Sequence, residues 1–105
     1  MAATFLPTKQ ATLVGTGSAA TLISATNHTQ APRVWQILLA NSSTGGIAAV
    51  FAYTLSGSVG TLTVEAPATS SVIVPFTGVP WILGDVNNTI TCNAPTQATI
   101  QAYYD

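Results

Sequence analysis

Apolar side chains alternate with a period of two along the most apolar segments of this chain. In residues 33–40, Trp35, Ile37 and Leu39 fall on one face, and residues 47–55 alternate in the same way. Successive side chains of a β-strand point to opposite faces, whereas a helix repeats every 3.6 residues. Both segments also carry apolar side chains on their second face, so we predict two central strands that are covered on both sides.

Shorter segments predict further strands. Six of them mix threonine with β-branched or aliphatic residues, at residues 12–15, 21–25, 61–65, 71–74, 89–93 and 99–103. The connecting segments are rich in the glycine, asparagine, serine and proline of tight turns, at residues 15–18, 41–46, 56–60, 66–68 and 84–88. Short strands separated by such turns, without an amphipathic segment of helix length, are typical of sandwiches. We predict an all-β fold, a single antiparallel β-sandwich or jelly roll of about eight strands.

The length of the chain limits it to one domain. At 105 residues it can bury roughly 60–70% of its unfolded surface, which is enough for one core. We assign residues 11–105 to the sandwich and residues 1–10 to an N-terminal arm, since Pro7 and Lys9 suit an extended segment lying on a neighbouring subunit. Cys92 is the only cysteine, so no internal disulfide reinforces the core and stability must come from packing or from neighbours.

Formal charge is scarce in this sequence. The five charged side chains, which make up 5% of the residues, are Lys9, Arg33, Glu65, Asp85 and Asp105. About a quarter of the residues of an ordinary globular domain are charged, and exposed charge keeps proteins soluble and monomeric. We therefore expect the surface to be covered by a partner or packed in a repeating array. Two basic residues cannot neutralise the phosphates on which nucleic-acid binding depends, so we predict no nucleic-acid partner.

One glycine-rich segment matches an enzyme motif in its letters. Residues 15–20 spell the GxGxxA form of the dinucleotide-binding fingerprint. That motif needs a helix after the glycines and an acidic residue about twenty positions later. Residues 21–25 predict a strand, and the later region offers Arg33 and Trp35. We interpret the segment as a turn and predict no bound cofactor.

The ionisable side chains offer little material for catalysis. His28 lies in a polar loop, and Cys92 is predicted to point inward from a strand, where a free cysteine acts as a small apolar side chain. Glu65 and Asp85 add two carboxylates, but a Cys–His pair would lack a third, orienting group. No cluster has the spacing of metal ligands. We predict no catalytic residue, no metal site and a non-enzymatic function.

The apolar runs are too short to cross a membrane. The longest, at residues 37–40 and 47–53, fall far below the roughly 18–20 residues that span a bilayer. The start of the chain also lacks the basic region and apolar stretch of a secretory signal. We expect synthesis in the cytoplasm and no membrane partner.

Aromatic side chains are the candidates for surface recognition, because they anchor interfaces and stack on sugars. We predict that Trp35 and Tyr53 fill the core, since they lie in the most apolar strands. Trp81 lies among prolines and glycines and suits either the end of the sandwich or a partner surface. Successive residues of the last strand point to opposite faces, so one of its two tyrosines faces away from the core. The candidate interface residues are Trp81, Tyr103, Tyr104, Phe5 and Lys9.

The order of these segments resembles that of small β-sandwich virion proteins of tailed bacteriophages. Those proteins have a long apolar strand ending in Asn-Ser, a strand of small residues, a Pro-aromatic-x-Leu-Gly-Asp segment and a last strand closing on aromatic and acidic residues. The corresponding segments here are residues 36–42, 47–53, 80–85 and 98–105. The resemblance implies a virion structural protein, most often a capsid decoration or cement protein that clusters as a homotrimer on the major capsid protein or contacts other virion proteins.

Two alternatives of a related kind stay open. One is an accessory protein of the tail or of the head-to-tail junction. The other is a carbohydrate-binding or receptor-binding module of a tail fibre, in which Trp81 or a C-terminal tyrosine stacks on a sugar. Glycan titration separates the second alternative from a purely structural role.

Overall fold

The computed structural model describes residues 9–25 and 30–105, which form nine strands. In chain order these are β1 (Lys9–Val14), β2 (Ala19–Ile23), β3 (Arg33–Asn41), β4 (Ile47–Leu55), β5 (Ser58–Ala66), β6 (Ser71–Val74), β7 (Ile82–Leu83), β8 (Ile90–Asn93) and β9 (Ala98–Tyr104). No helix in this described part of the chain has the length and apolar character needed to cross a bilayer.

The strands form two antiparallel sheets that pack face to face. The first sheet has the order β1-β9-β3-β6, with β7 also pairing with β3, and the second has the order β2-β8-β4-β5. This architecture confirms the predicted all-β sandwich, with nine strands against about eight expected. Strands β3 and β4 have neighbours on both edges, which confirms their predicted central positions. The predicted cover on both faces is only partial, since each sheet packs against the other by one face and Ala48 on the second face of β4 is exposed. Strand β7 was not predicted, because two residues between turns give no periodic pattern.

A single cluster of apolar side chains fills the space between the sheets. Ile37, Leu39 and Ile100 come from the first sheet, and Phe51 and Cys92 come from the second. None of the five is more than 1% exposed. Removal of this apolar surface from water is the main term that stabilises such a fold, at about 25 cal/mol per Å².

A β-bulge at the start of β3 places Trp35 outside this cluster. The register of β3 against β9 shifts between Val34 and Gln36. Val34 therefore points into the core, while Trp35 lies on the same side of the strand as Arg33. The ring of Trp35 packs beside Phe76, with 5.5 Å between ring centroids, and is 7% exposed. Trp35 is thus buried as predicted but not between the sheets.

The sandwich begins earlier than the sequence suggests. Strand β1 starts at Lys9, which pairs with Tyr104 of β9. Lys9 and Gln10, predicted as the end of an arm, therefore belong to the sandwich, because their backbones pair with β9. The rest of the predicted arm, residues 1–8 with Phe5, lies outside the described residues.

Candidate functional site

Arg33 and Asp105 form a two-pronged ion pair where β3 and β9 meet at one end of the first sheet. The Arg33 Nε and Nη2 atoms donate to Asp105 Oδ1 and Oδ2 at 2.9 and 3.0 Å. Trp35 Nε1 donates to the same Oδ1 at 3.1 Å, and the guanidinium carbon lies 5.4 Å from the centroid of the Trp35 ring. The backbones of Arg33 and Asp105 also exchange hydrogen bonds of 3.0 and 3.1 Å. The Asp105 carboxylate therefore joins the end of β9 to the start of β3.

Substitution of Asp105 tests this role. We expect Asp105→Asn to lower the free energy of unfolding by about 2 kcal/mol, because it weakens three charge-assisted hydrogen bonds. The Arg33 side chain is 39% exposed and the Asp105 side chain 11%, so water screens part of the pair. Urea denaturation gives the measurement. Glu65→Gln, at an exposed position of β5, is the matched control, and an equal loss in both variants would contradict the assignment.

Asp85 holds the turn between β4 and β5. Its Oδ2 and Oδ1 atoms accept the backbone N–H groups of Gly57 and Ser56 at 3.0 and 2.8 Å. Ser56 and Gly57 have positive φ angles of 53° and 78°, as the two central residues of a type I′ hairpin turn require. The Asp85 N–H also donates to the Thr54 carbonyl at 2.7 Å. The segment after β7 is thereby fastened to this hairpin.

The hydrogen bonds from the backbone N–H groups lower the pKa of Asp85 below its usual 3.8, with Gly57 contributing more than Ser56. A lowered pKa means that the charged carboxylate stabilises the folded state above pH 3.8, and that this contribution is lost as the pH falls through the lowered value. We expect Asp85→Asn to reduce the melting temperature at neutral pH, and the difference from the native chain to narrow in acid. Melting curves from neutral pH down to pH 2 would show this, with Glu65→Gln as control. A constant difference at every pH would contradict it.

The remaining ionisable candidates do not come together. Burial raises the pKa of the Cys92 thiol to about 11, so it stays protonated and packs as an apolar group, as predicted. His28 lies outside the described residues. Within residues 9–25 and 30–105, no three side chains among His, Cys, Asp and Glu are grouped as metal ligands.

An open groove runs beside Glu65. It has a volume of about 560 Å³ and is lined by Gly46, Ile47, Ala48, Glu65, Ala66 and Pro67. Glu65 is the one charged side chain in this lining.

The structure separates the predicted interface residues into surface and core. Trp81 is 40% exposed, and its indole N–H donates to the Pro75 carbonyl at 2.8 Å. Tyr103 is half-buried on the outer side of β9. Tyr104 is 4% exposed and belongs to the core cluster, so its prediction as an interface residue is corrected: alternation along β9 turns it inward. This arrangement confirms that one tyrosine faces away from the core.

Lys9 is exposed at the start of β1. Its ammonium group lies 5.9 Å from the centroid of the Tyr104 ring, which is a cation–π distance. Burial raises the pKa of the Tyr104 hydroxyl, so the ring facing Lys9 is neutral. Lys9 also pairs with Tyr104 along the strands, so the residue has a place within the fold.

Exposed apolar side chains concentrate in the second half of the chain. Eight of the nine large ones found among the described residues lie there, each at least 39% exposed: Leu55, Val59, Ile73, Phe76, Val79, Trp81, Leu83 and Val86. The ninth is Val14 at the end of β1, which is 59% exposed. Sequence reasoning found Trp81 among them and missed Val59, because residues 56–60 were interpreted as one turn. A Ser-Gly pair between two alternating runs is the signal that indicates a two-residue hairpin, with the strand resuming directly after it.

The described side chains thus offer contact surface and no assembled set of reacting groups. Comparison of the chain with protein-family models, with curated proteins and with solved structures finds no match. Contacts, burial and charge within the chain itself are therefore the basis for inferring its function.

Proposed function

We propose that this protein is a non-enzymatic virion structural protein, a capsid decoration or cement protein that stabilises a phage head. The observation that carries the proposal is the character of its surface. Of the five charged side chains, Arg33, Asp85 and Asp105 form hydrogen bonds within the fold. The Lys9 ammonium group lies at a cation–π distance from the Tyr104 ring. Lys9 and Glu65 are the two charged residues in the exposed class, on a surface of threonine, serine, alanine and apolar residues.

Such a surface suits close contact with neighbouring protein rather than with water. Contiguous patches of exposed apolar groups mark interaction sites, whereas single exposed apolar side chains are ordinary. Trp81 and the segment that carries Phe76 lie side by side, since the Trp81 indole N–H donates to the Pro75 carbonyl. Repetition over a symmetric shell multiplies weak contacts through effective concentration, so no single strong site is required. Neutral contacts are also insensitive to salt, because they contain few charges to be screened.

The assignment to a virion is supported by the resemblance of segments 36–42, 47–53, 80–85 and 98–105 to phage β-sandwich proteins. The segment at residues 80–85 has a structural use here. The backbone N–H of Trp81 donates to the Val34 carbonyl, and the Asp85 carboxylate accepts from the β4–β5 turn. The partners that follow from this proposal are the major capsid protein, other virion proteins and further copies of the chain. The homotrimer expected for this protein follows from the same resemblance.

The abundance of the protein in purified particles tests the proposal. Quantitative mass spectrometry should find it at near-stoichiometric copy number with the major shell protein. A low copy number would move it to the tail or to the head-to-tail junction. Absence from particles would refute the virion role.

A receptor-binding module is the second candidate, and the exposure of Trp81 favours it. The bond from the indole N–H to Pro75 fixes the ring while leaving 40% of the residue exposed, and a fixed exposed ring can stack on a sugar. Titration with a glycan panel tests this candidate. Saturable binding that is lost in Trp81→Ala and retained in Val79→Ala, a neighbouring position 67% exposed, would favour it over decoration.

A further inference from the structure

Strand β5 is a long strand with one free edge. It runs over nine residues, Ser58–Ala66, at the end of the second sheet, and among the described strands only β4 pairs with it. Its register with β4 is continuous from Leu55 opposite Ser58 to Ile47 opposite Ala66. An unpaired edge of this kind is a template for another strand.

The hairpin turn determines which backbone groups of β5 face outward. The residues that flank a two-residue turn, here Leu55 and Ser58, form a hydrogen-bonded pair. Hydrogen-bonded pairs then recur at every second position, so the even-numbered residues of β5 bond to β4. The N–H and C=O groups that point away from β4 belong to Val59, Thr61, Thr63 and Glu65.

This edge lacks the features that prevent strand pairing elsewhere. Natural edges are protected by short length, lysine, proline or a bulge. In this chain β1 begins with Lys9, β2 has five residues and an irregular register, and β6 has four residues followed by Pro75. Strand β5 has no lysine, no proline and no bulge, and its one charge, Glu65, is next to its end.

We propose that β5 pairs antiparallel with β5 of a second copy of this chain, joining two four-stranded sheets into one of eight strands. The two-fold axis passes through Leu62, the middle residue of the strand. In this register Val59 lies opposite Glu65 of the second copy, and Thr61 lies opposite Thr63. All four outward-facing residues then form hydrogen-bonded pairs, and each pair exchanges two bonds. A shift in either direction leaves at least one of them unpaired.

The side chains fit the same register. Thr61, Thr63 and Glu65 are exposed on the outer face, and facing threonines are a favourable cross-strand pair. Each Glu65 meets Val59, which is 74% exposed, so the two carboxylates stay apart. On the inner face, the half-buried Leu62 packs against the core and would meet its own copy. The pairing thus extends the core across the two-fold axis, which makes a second copy the fitting occupant.

Disulfide trapping tests the register. At the two-fold axis the Cα atoms of residue 62 would stand about 4.5 Å apart, within the reach of a disulfide. Leu62→Cys should therefore give a covalent dimer under mild oxidation. Val59→Cys is the control: it is more exposed, but its copies would lie about 20 Å apart along the paired strands. Native Cys92 is 1% exposed and stays in both variants. Equal cross-linking of the two would overturn the register.

Paired charge variants test the association itself by sedimentation equilibrium. The native chain should have the mass of two copies, and not of the three that the resemblance to phage proteins implies, because an antiparallel self-contact closes at two. Thr61→Glu with Thr63→Glu sets like charges opposite each other and should halve the mass, whereas Thr61→Lys with Thr63→Glu sets opposite charges together and should retain the dimer. Both positions are exposed, and circular dichroism checks the fold. A native monomer at all concentrations, or a trimer that both variants leave intact, would overturn the proposal.

This inference does not depend on the virion role. Solution mass and cross-linking measure strand pairing in the purified chain, while the copy number in particles measures the place of the protein in a virion. A monomer found at high copy number in particles would refute the pairing alone, and a β5-paired dimer absent from particles would refute the virion role alone.

Discussion

Gly15→Ala is expected to lower the free energy of unfolding by more than about 3 kcal/mol. A Cβ atom on Gly15 would overlap the Pro95 carbonyl oxygen and would come within 2.8 Å of the Ala94 carbonyl oxygen. Both obstacles are backbone, so no side chain can rotate away. The Gly15 N–H donates to the Ala98 carbonyl at 2.9 Å, and the Pro95 carbonyl accepts from Ala98 in the β8–β9 turn. The end of β1 would have to leave this turn.

Gly45→Ala is the matched control for this prediction. A Cβ atom at Gly45 has no heavy atom within 4 Å, and Gly45 is not among the glycines with positive φ. Its replacement should change the free energy of unfolding by less than about 1 kcal/mol. Chemical denaturation of the two variants measures the difference in their free energies of unfolding. A Gly15→Ala protein as stable as Gly45→Ala would show that β1 does not approach the β8–β9 turn so closely.

Asn41→Ala is expected to cost about 3 kcal/mol, because it removes a buried amide that satisfies several backbone groups. Asn41 is 5% exposed and is the one buried polar or charged side chain among the described residues. Its Nδ2 donates to the carbonyls of Gly45 and Pro67 at 2.9 and 2.8 Å and lies 3.3 Å from the Ala66 oxygen. Its Oδ1 accepts the Ser43 N–H at 2.8 Å. Alanine would leave these groups without their partner.

Asn93→Ala, at the exposed end of β8, is the control for the loss of an asparagine. It should change the free energy of unfolding by less than about 0.5 kcal/mol. Urea denaturation of both variants measures the difference. If Asn41→Ala were no more destabilising than Asn93→Ala, the loop after β3 would not depend on this amide.

The strand pattern could be predicted because it is local. Strands β3 and β4 were predicted at residues 33–40 and 47–55, and they are found at Arg33–Asn41 and Ile47–Leu55. Two-sided apolar alternation over this length has no other ordinary interpretation. Strand β5 was predicted at residues 61–65, three residues short at its start. Serine and glycine indicated a longer turn there, whereas pairing with β4 extends the strand to Ser58.

The hydrogen bonds of the charged side chains could not be predicted, because they join residues that are far apart in sequence. Arg33 and Asp105 are separated by 72 positions and Asp85 and Ser56 by 29. The bulge that turns Trp35 out of the core depends on the pairing of β3 with β9. The residues around Trp35 do not indicate that β3 pairs with β9, so alternation alone assigned Trp35 to the wrong face.

The sequence by itself determined that this chain is all-β, that Cys92 points inward as a small apolar side chain, and that only five of its residues carry a formal charge. Alternation, turn residues and composition are properties of neighbours in the chain, and they are sufficient for those conclusions. The tertiary structure decided that Gly15 serves a close backbone approach, that Asp85 and Asp105 hold a turn and a strand end, and that β5 is left with a free edge. These depend on which strands lie side by side, because hydrogen-bond partners and steric space exist only after the sheets have formed.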